Sequence, residues 1–67
     1  MSNTDKVKEI VAIIRRTSDL ETAKATMGPV LQAELPFQTK VTFDGNVASI
    51  YVEESPGNMI LLSVDLS

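Results

Sequence analysis

The side chains that could act as nucleophiles are serine and threonine hydroxyls, because the chain contains no cysteine. A hydroxyl needs a neighbouring base, and histidine, the usual one, is absent as well. Lysine could serve as the base, but no motif here would bring a lysine beside a serine. We therefore expect the hydroxyls to form helix caps, turns and surface groups, and we predict that the protein is not an enzyme.

Carboxylates are the next candidates for chemistry. Glu53 and Glu54 are adjacent, so on a strand they point to opposite faces and cannot form a working acid–base pair. Asp44 and Asn46 could join them in binding a hard cation, but the four lack the spacing of a calcium loop. Isolated glycines form no phosphate-binding pattern. The sequence thus predicts no metal and no cofactor, and it favours Glu53 and Glu54 as charges that guard a strand end.

Length and charge bound the remaining classes. The 67 residues allow one small domain, of marginal stability, which makes self-association an expected aid. Residues 1–25 carry five basic and four acidic side chains, whereas residues 26–67 carry one basic and five acidic. The acidic part should repel nucleic acid and lipid headgroups and tolerate a basic protein surface. We expect another protein as the partner, and a homodimer as the oligomeric state.

The expected location is cytoplasmic. Missing cysteine fits a reducing compartment. No apolar run approaches the roughly 20 residues that span a bilayer. The polar start lacks the basic and apolar stretches of a secretory signal.

Two helices should position the first half of the chain. Val7, Ile10, Val11 and Ile14 have the spacing of an amphipathic stripe, which predicts a helix over about residues 4–16. Ile13 lies off this stripe, where it either widens the buried face or touches a partner.

The capping box Ser18–Glu21 predicts a second helix, which Gly28 and Pro29 should end. Residues 29–35 fit a short third helix, the alternative that we prefer, or a strand.

The second half predicts a sheet. Apolar residues alternate from Phe37 to Phe43, and Gly45–Asn46 is a strong hairpin turn leading to a strand over about residues 47–54. A third strand should cover about residues 59–66. Keeping one continuous apolar face in this second hairpin requires an odd loop or a bulge, and we predict a loop of three or five residues. The expected fold is α+β: two helices, with the short third left open, on a three-stranded antiparallel meander.

Two or three helices can cover only one face of such a sheet. The other face would expose four apolar side chains: Val47, Tyr51, Met59 and Leu61. We predict that these residues bind the partner protein and that Glu53 and Glu54 tune the association. The predicted function is a small acidic protein-binding module with a regulatory, inhibitory or assembly role.

The alternative is a nucleic-acid-binding transcriptional regulator, because the element order is similar to that of a winged helix-turn-helix. Its recognition helix would be residues 29–35, which carry no basic residue and one acidic residue, Glu34. A basic strip could come only from residues of the first two helices, namely Lys6, Lys8, Arg15, Arg16 and Lys24. Since phosphate contacts dominate affinity for DNA, nucleic acid is the less favoured partner.

Overall fold

A computed structural model describes residues 2–67. The elements are α1 (Asn3–Thr17), α2 (Leu20–Glu34), β1 (Thr39–Asp44), β2 (Val47–Ser55) and β3 (Asn58–Asp65). The strands form one antiparallel sheet in the order β1-β2-β3, so β2 is central and the other two strands are edges. The predicted α+β fold, two helices on a three-stranded meander, is confirmed.

Helix α1 matches its prediction. Ser2 is the N-cap, and its hydroxyl accepts a hydrogen bond of 3.1 Å from the amide of Asp5. The stripe residues Val7, Val11 and Ile14 are buried. Ile13 is 49% exposed, so it does not widen the buried face.

Helix α2 differs from its prediction at both ends. Its N-cap is Asp19, not Ser18, and the Asp19 carboxylate accepts a 2.7 Å hydrogen bond from the amide of Thr22. Ser18 is instead the C-cap of α1. At the other end, α2 continues through Gly28 and Pro29, so the expected stop at Gly28 was wrong and no separate third helix forms within residues 29–35.

Burial explains why α2 continues. Ala23, Met27 and Leu31 are spaced four residues apart, and all three are buried beneath the helix. An interior proline costs about 3 kcal/mol. Burying a single large apolar side chain returns roughly 1.5–3 kcal/mol. Only an unbroken helix places Met27 and Leu31 together against the sheet, which offsets the lost hydrogen bond.

The first hairpin has the predicted register. Phe43 pairs with Ala48 and Val41 pairs with Ile50. Gly45 occupies the two-residue turn at φ +61°, where glycine is not strained.

The second hairpin keeps the predicted continuous face but reaches it differently. Ser55 pairs with Asn58, which leaves a loop of only two residues, Pro56 and Gly57. The predicted loop of three or five residues was therefore wrong. A bulge between Glu53 and Ser55 supplies the odd residue, and Ile50 consequently pairs with Leu62.

The helices cover one face of the sheet unevenly. Helix α1 packs chiefly on β2 and α2 on β1. Beneath them Ala48, Ile50 and Val52 of the central strand are fully buried. The residues of β3 on the same face are only partly buried, because this strand lies beyond the helix layer. We call them the β3 inner row: Ile60, Leu62 and Val64.

Candidate interaction surface

The sheet face that points away from the helices is the candidate surface, and we call it the outer face. Side chains alternate along a strand, so the neighbours of the buried Ala48, Ile50 and Val52 point outward. None of the helices between Ser2 and Ser67 packs on this face. Its apolar members are 37–52% exposed: Val47, Tyr51, Met59 and Leu61.

Three of the four predicted apolar residues lie together. Tyr51 on β2 pairs directly with Leu61 on β3, and Met59 lies two residues from Leu61 on the same side of that strand. Glu53, opposite Met59, borders the group. Cross-strand neighbours on one face approach to about 4.5–5.5 Å between Cβ atoms, so these side chains form one contiguous patch. We call Tyr51, Met59 and Leu61 the apolar cluster.

Val47 lies apart from the apolar cluster. Tyr51 is four positions further along β2, which is a distance of about 13 Å at the rise of a strand. Ser49 and its partner Ser63 lie between them. Val47 itself is flanked by Asp44 on one side and Asp65 on the other. The structure therefore divides the predicted contact into a cluster and an isolated residue with acidic neighbours.

A shallow depression of about 420 Å³ adjoins the apolar cluster. Tyr51 and Met59 form its apolar side, and Lys40 and Thr42 belong to its polar side. Lys40 pairs directly with Tyr51, so a cation and an aromatic ring line the same concave site. The depression is large enough to receive an apolar side chain from a partner.

Charges around the outer face are mainly negative. The face carries one lysine, Lys40, and three carboxylates on the three strands: Asp44, Glu53 and Asp65. Hydrogen bonds from the hydroxyl and amide of Ser67 lower the pKa of Asp65, and the charge of Arg15 adds to this. Asp65 is therefore ionised at neutral pH, which keeps this end of the face acidic.

Glu54 has a different environment from Glu53. It lies in the bulge of β2, and its carboxylate accepts hydrogen bonds from the amides of Asn3 and Thr4, at 3.1 and 3.0 Å, and from the Thr4 hydroxyl. The Asn3 side chain also donates to the backbone carbonyl of Glu53 at 2.7 Å. These contacts join the start of α1 to the end of β2. The carboxylate of Glu54 is thus engaged inside the chain.

The contact between Glu54 and the start of α1 was not predicted, although one of its two sides was visible in the sequence. Ser2, Asn3 and Thr4 indicated a helix start that needs hydrogen-bond acceptors. The acceptor is about fifty residues away, and no local pattern reveals which carboxylate reaches a given helix. Thr39 was missed as well: its side chain is 8% exposed and, within the described residues, its hydroxyl has no hydrogen-bond partner.

The basic residues of the nucleic-acid alternative lie on more than one side of α1. At 100° per residue, Lys8 and Arg15 share one flank of α1, while Arg16 lies about 100° further round. Lys24 on α2 sits over the ring of Phe43, with its Nζ 5.9 Å from the ring centroid. Residues 29–34 are the last turns of α2, so the separate helix that this alternative assigns to residues 29–35 does not form.

Across residues 2–67 the structure brings together no group of three or more side chains that could hold a metal ion. Neither helix has the length and apolar composition that a bilayer crossing requires. No protein-family model, curated protein or solved structure matches the chain.

Proposed function

We propose that this protein is a non-enzymatic protein-binding module and that the outer face is its binding surface. The observation that carries the proposal is the apolar cluster. Its side chains, Tyr51, Met59 and Leu61, are contiguous and 39–52% exposed, and no helix of the described chain covers them. Tyrosine and methionine are enriched in interfaces. A chain of 67 residues has little apolar surface to spare, so exposing three large side chains side by side favours a use for them.

The chemistry of the surface indicates the partner. An apolar side chain of the partner would enter the depression beside Tyr51 and Met59, where Lys40 faces an acidic or carbonyl group of that partner. Basic residues around the anchor would meet Glu53, Asp44 and Asp65. The expected partner is therefore a protein that presents an apolar anchor within a basic surface.

Glu53 belongs to this contact and Glu54 does not. Glu53 lies on the outer face beside Met59, whereas the carboxylate of Glu54 accepts the hydrogen bonds of the α1 start. We therefore propose Glu53 as the residue that accelerates association by electrostatic steering. A cytoplasmic location stays part of the proposal.

The test is affinity capture from the native lysate with the wild type and two variants, each immobilised. Tyr51→Ala removes the aromatic side chain of the apolar cluster. Ile13→Ala removes a large apolar side chain of similar exposure on α1, 49% against 39%, so it controls for non-specific adhesion and would reveal a partner that binds through Ile13 instead of the outer face. We expect a protein that the wild type and Ile13→Ala retain and Tyr51→Ala loses.

Kinetics with the captured protein then separate the roles of charge and packing. Glu53→Lys should slow association, and the effect should shrink with added salt, while Tyr51→Ala should speed dissociation. If every captured protein is retained equally by all variants, the outer face is not the binding surface. A DNA duplex that binds at low salt would instead support the nucleic-acid alternative.

A further inference from the structure

We propose that β3 pairs with β3 of a second copy of this chain, in antiparallel orientation, to make one six-stranded sheet. The proposal is independent of the proposed function, because it concerns the edge of the sheet and its inner side. The occupant that the structure favours is a second copy, for reasons of hydrogen-bond phase, edge protection and helix spacing.

The phase of the sheet shows which backbone groups β3 presents to the open edge. The amide of Leu66 donates to the carbonyl of Asn46 at 2.8 Å, so this pair is a hydrogen-bonded one. Antiparallel pairs alternate, and the backbone groups of Ile60, Leu62 and Val64 therefore point toward β2. The N–H and C=O groups of the intervening residues point to the open edge: Met59, Leu61, Ser63 and Asp65.

The two edges of the sheet are protected very differently. The β1 edge follows Pro36, carries Lys40 and Asp44, and lies beneath α2. The β3 edge runs for eight residues with a single charge, Asp65, at its end. Natural sheets block their edges with lysine, proline, short strands or covering elements, and within the described chain β3 has none of these. An edge of this kind is suited to strand pairing.

The side chains of the β3 inner row are only partly buried in one copy, and pairing with a second copy would bury them further. Ile60, Leu62 and Val64 are all partly buried, and Leu62 and Val64 pack against the core, but the three lie beyond the helix layer. With a two-fold axis at Leu62, the two Leu62 side chains face each other and Ile60 of each copy faces Val64 of the other. The inner row is thus complementary to itself, as a two-fold interface requires.

Helix spacing distinguishes a second copy from a lone strand of another protein. Helix α1 packs on β2, and adjacent strands lie about 4.8 Å apart, so the two β2 strands of the dimer would be about 14 Å apart. A helix with its side chains is about 10–12 Å wide. The two α1 helices would therefore lie almost side by side, and together they would cover most of both inner rows. A lone strand would leave its side of the inner row open.

Charge permits this arrangement. With the axis at Leu62, Asp65 of one copy faces Met59 of the other, and the two Asp65 carboxylates lie at opposite ends of the paired strands. Leu61 of each copy then lies beside the axis on the outer face, so the two apolar clusters would adjoin. The dimer would present one enlarged binding surface.

The first test is the molar mass in solution, measured by sedimentation equilibrium across a dilution series. We expect a species of twice 7.3 kDa at high concentration. Ser63→Pro removes an edge N–H without breaking a bond to β2, because proline is tolerated on an edge strand where its nitrogen faces outward. It should raise the dimer dissociation constant about 10–100-fold, since two edge hydrogen bonds are lost per dimer. Ser63→Ala keeps the N–H and is the matched control.

The second test stays valid if Ser63→Pro fails to fold. The chain has no cysteine, so a single introduced cysteine can form a disulfide only with the same residue of a second copy. Leu62→Cys places two sulfurs across the axis, at a Cα separation of about 4.5–5.5 Å that suits a disulfide. It should cross-link under mild oxidation. Val41→Cys, partly buried on the opposite edge strand, should stay monomeric on a denaturing gel.

Three results would overturn the proposal. The wild type could be monomeric throughout the dilution series. Folded Ser63→Pro could dimerise as well as Ser63→Ala, with Leu62→Cys cross-linking no faster than Val41→Cys. Alternatively, Tyr51→Ala could dissociate the dimer while Ser63→Pro leaves it intact, which would move self-association to the outer face. A partner captured through the outer face bears on none of these results.

Discussion

Thr4 and Glu54 share two hydrogen bonds, although they are fifty positions apart in the sequence. The Thr4 amide donates to the Glu54 carboxylate at 3.0 Å, and the Thr4 hydroxyl donates to the same oxygen. The carboxylate thereby satisfies free amides of the α1 N-terminus and places a negative charge at the positive end of the helix dipole. Glu54 lies two residues beyond the buried Val52, so strand alternation directs its side chain to the helix-covered side of the sheet, where its hydrogen bonds fasten α1 to β2.

This bond predicts a pH dependence of stability. The hydroxyl and amide of Thr4, with a smaller contribution from the Asn3 amide, hold the pKa of Glu54 below its ordinary value, against the opposing effect of burial. The unfolded chain then binds more protons than the folded one, so stability from this contact is full above the ordinary pKa and is lost as pH falls through the folded pKa. Glu54→Gln should lower the free energy of unfolding at pH 7.

Urea unfolding of Glu54→Gln and wild type at pH 7 and at pH 3 checks this. The difference between the two proteins should be smaller at pH 3, because below the ordinary glutamate pKa the unfolded chain binds the proton more readily than the folded one and the contribution of the contact falls. Glu53→Gln is the matched control, because Glu53 lies on the outer face next to Met59. Equal losses at pH 7 in both variants would mean that the Glu54 contact adds nothing specific.

The sequence predicted the sheet better than the end of α2, and the reason is physical. Alternation and a glycine-containing turn determine a hairpin register locally, so Phe43 opposite Ala48 could be read from neighbouring residues. Whether a helix stops at Gly28 or continues through Pro29 depends on burial of Met27 and Leu31, which is a tertiary effect. Local signals for a stop were present, and packing overrode them.

The candidate surface was predictable to a similar extent. Alternation placed Val47, Tyr51, Met59 and Leu61 on one face because each strand has a period of two. Their grouping depends on the stagger between strands, which puts Tyr51 beside Leu61 and leaves Val47 between two aspartates. The role of Glu54 could not be predicted, because its partners are at the other end of the chain.

Gly28 gives a prediction about helix propensity. It lies inside α2, and a Cβ added there would meet no atom within 4 Å. Gly28→Ala should therefore raise the free energy of unfolding by about 0.5–1 kcal/mol, because alanine loses less backbone entropy on folding. Gly45→Ala is the contrast, since its φ of +61° should make alanine destabilising by about 1–2 kcal/mol. Urea midpoints of both variants decide the matter, and a destabilising Gly28→Ala would contradict the continuous helix.

Thr39 gives a prediction about an unsatisfied hydroxyl. Its side chain is 8% exposed, and in the described part of the chain its Oγ1 has no hydrogen-bond partner. Thr39→Val keeps the branched shape and removes the polar atom, so it should stabilise the fold by about 1 kcal/mol. Thr39→Ser, which keeps the hydroxyl and loses the methyl group, should destabilise it. Thermal unfolding of both variants is the measurement, and a stability loss in Thr39→Val would show that the hydroxyl is hydrogen-bonded in solution.

Ile50 and Tyr51 are neighbours on β2 that point to opposite faces, and they test which face the helices cover. Ile50 is fully buried, so Ile50→Ala should cost about 2–5 kcal/mol of folding free energy. Tyr51 is 39% exposed on the outer face, so Tyr51→Ala should change stability far less, by about 0.5 kcal/mol or a little more. Urea unfolding of dilute protein, where self-association is weakest, makes the comparison clean. A Tyr51→Ala loss as large as that of Ile50→Ala would mean that the tyrosine serves the fold, and its value as a probe of partner binding would be gone.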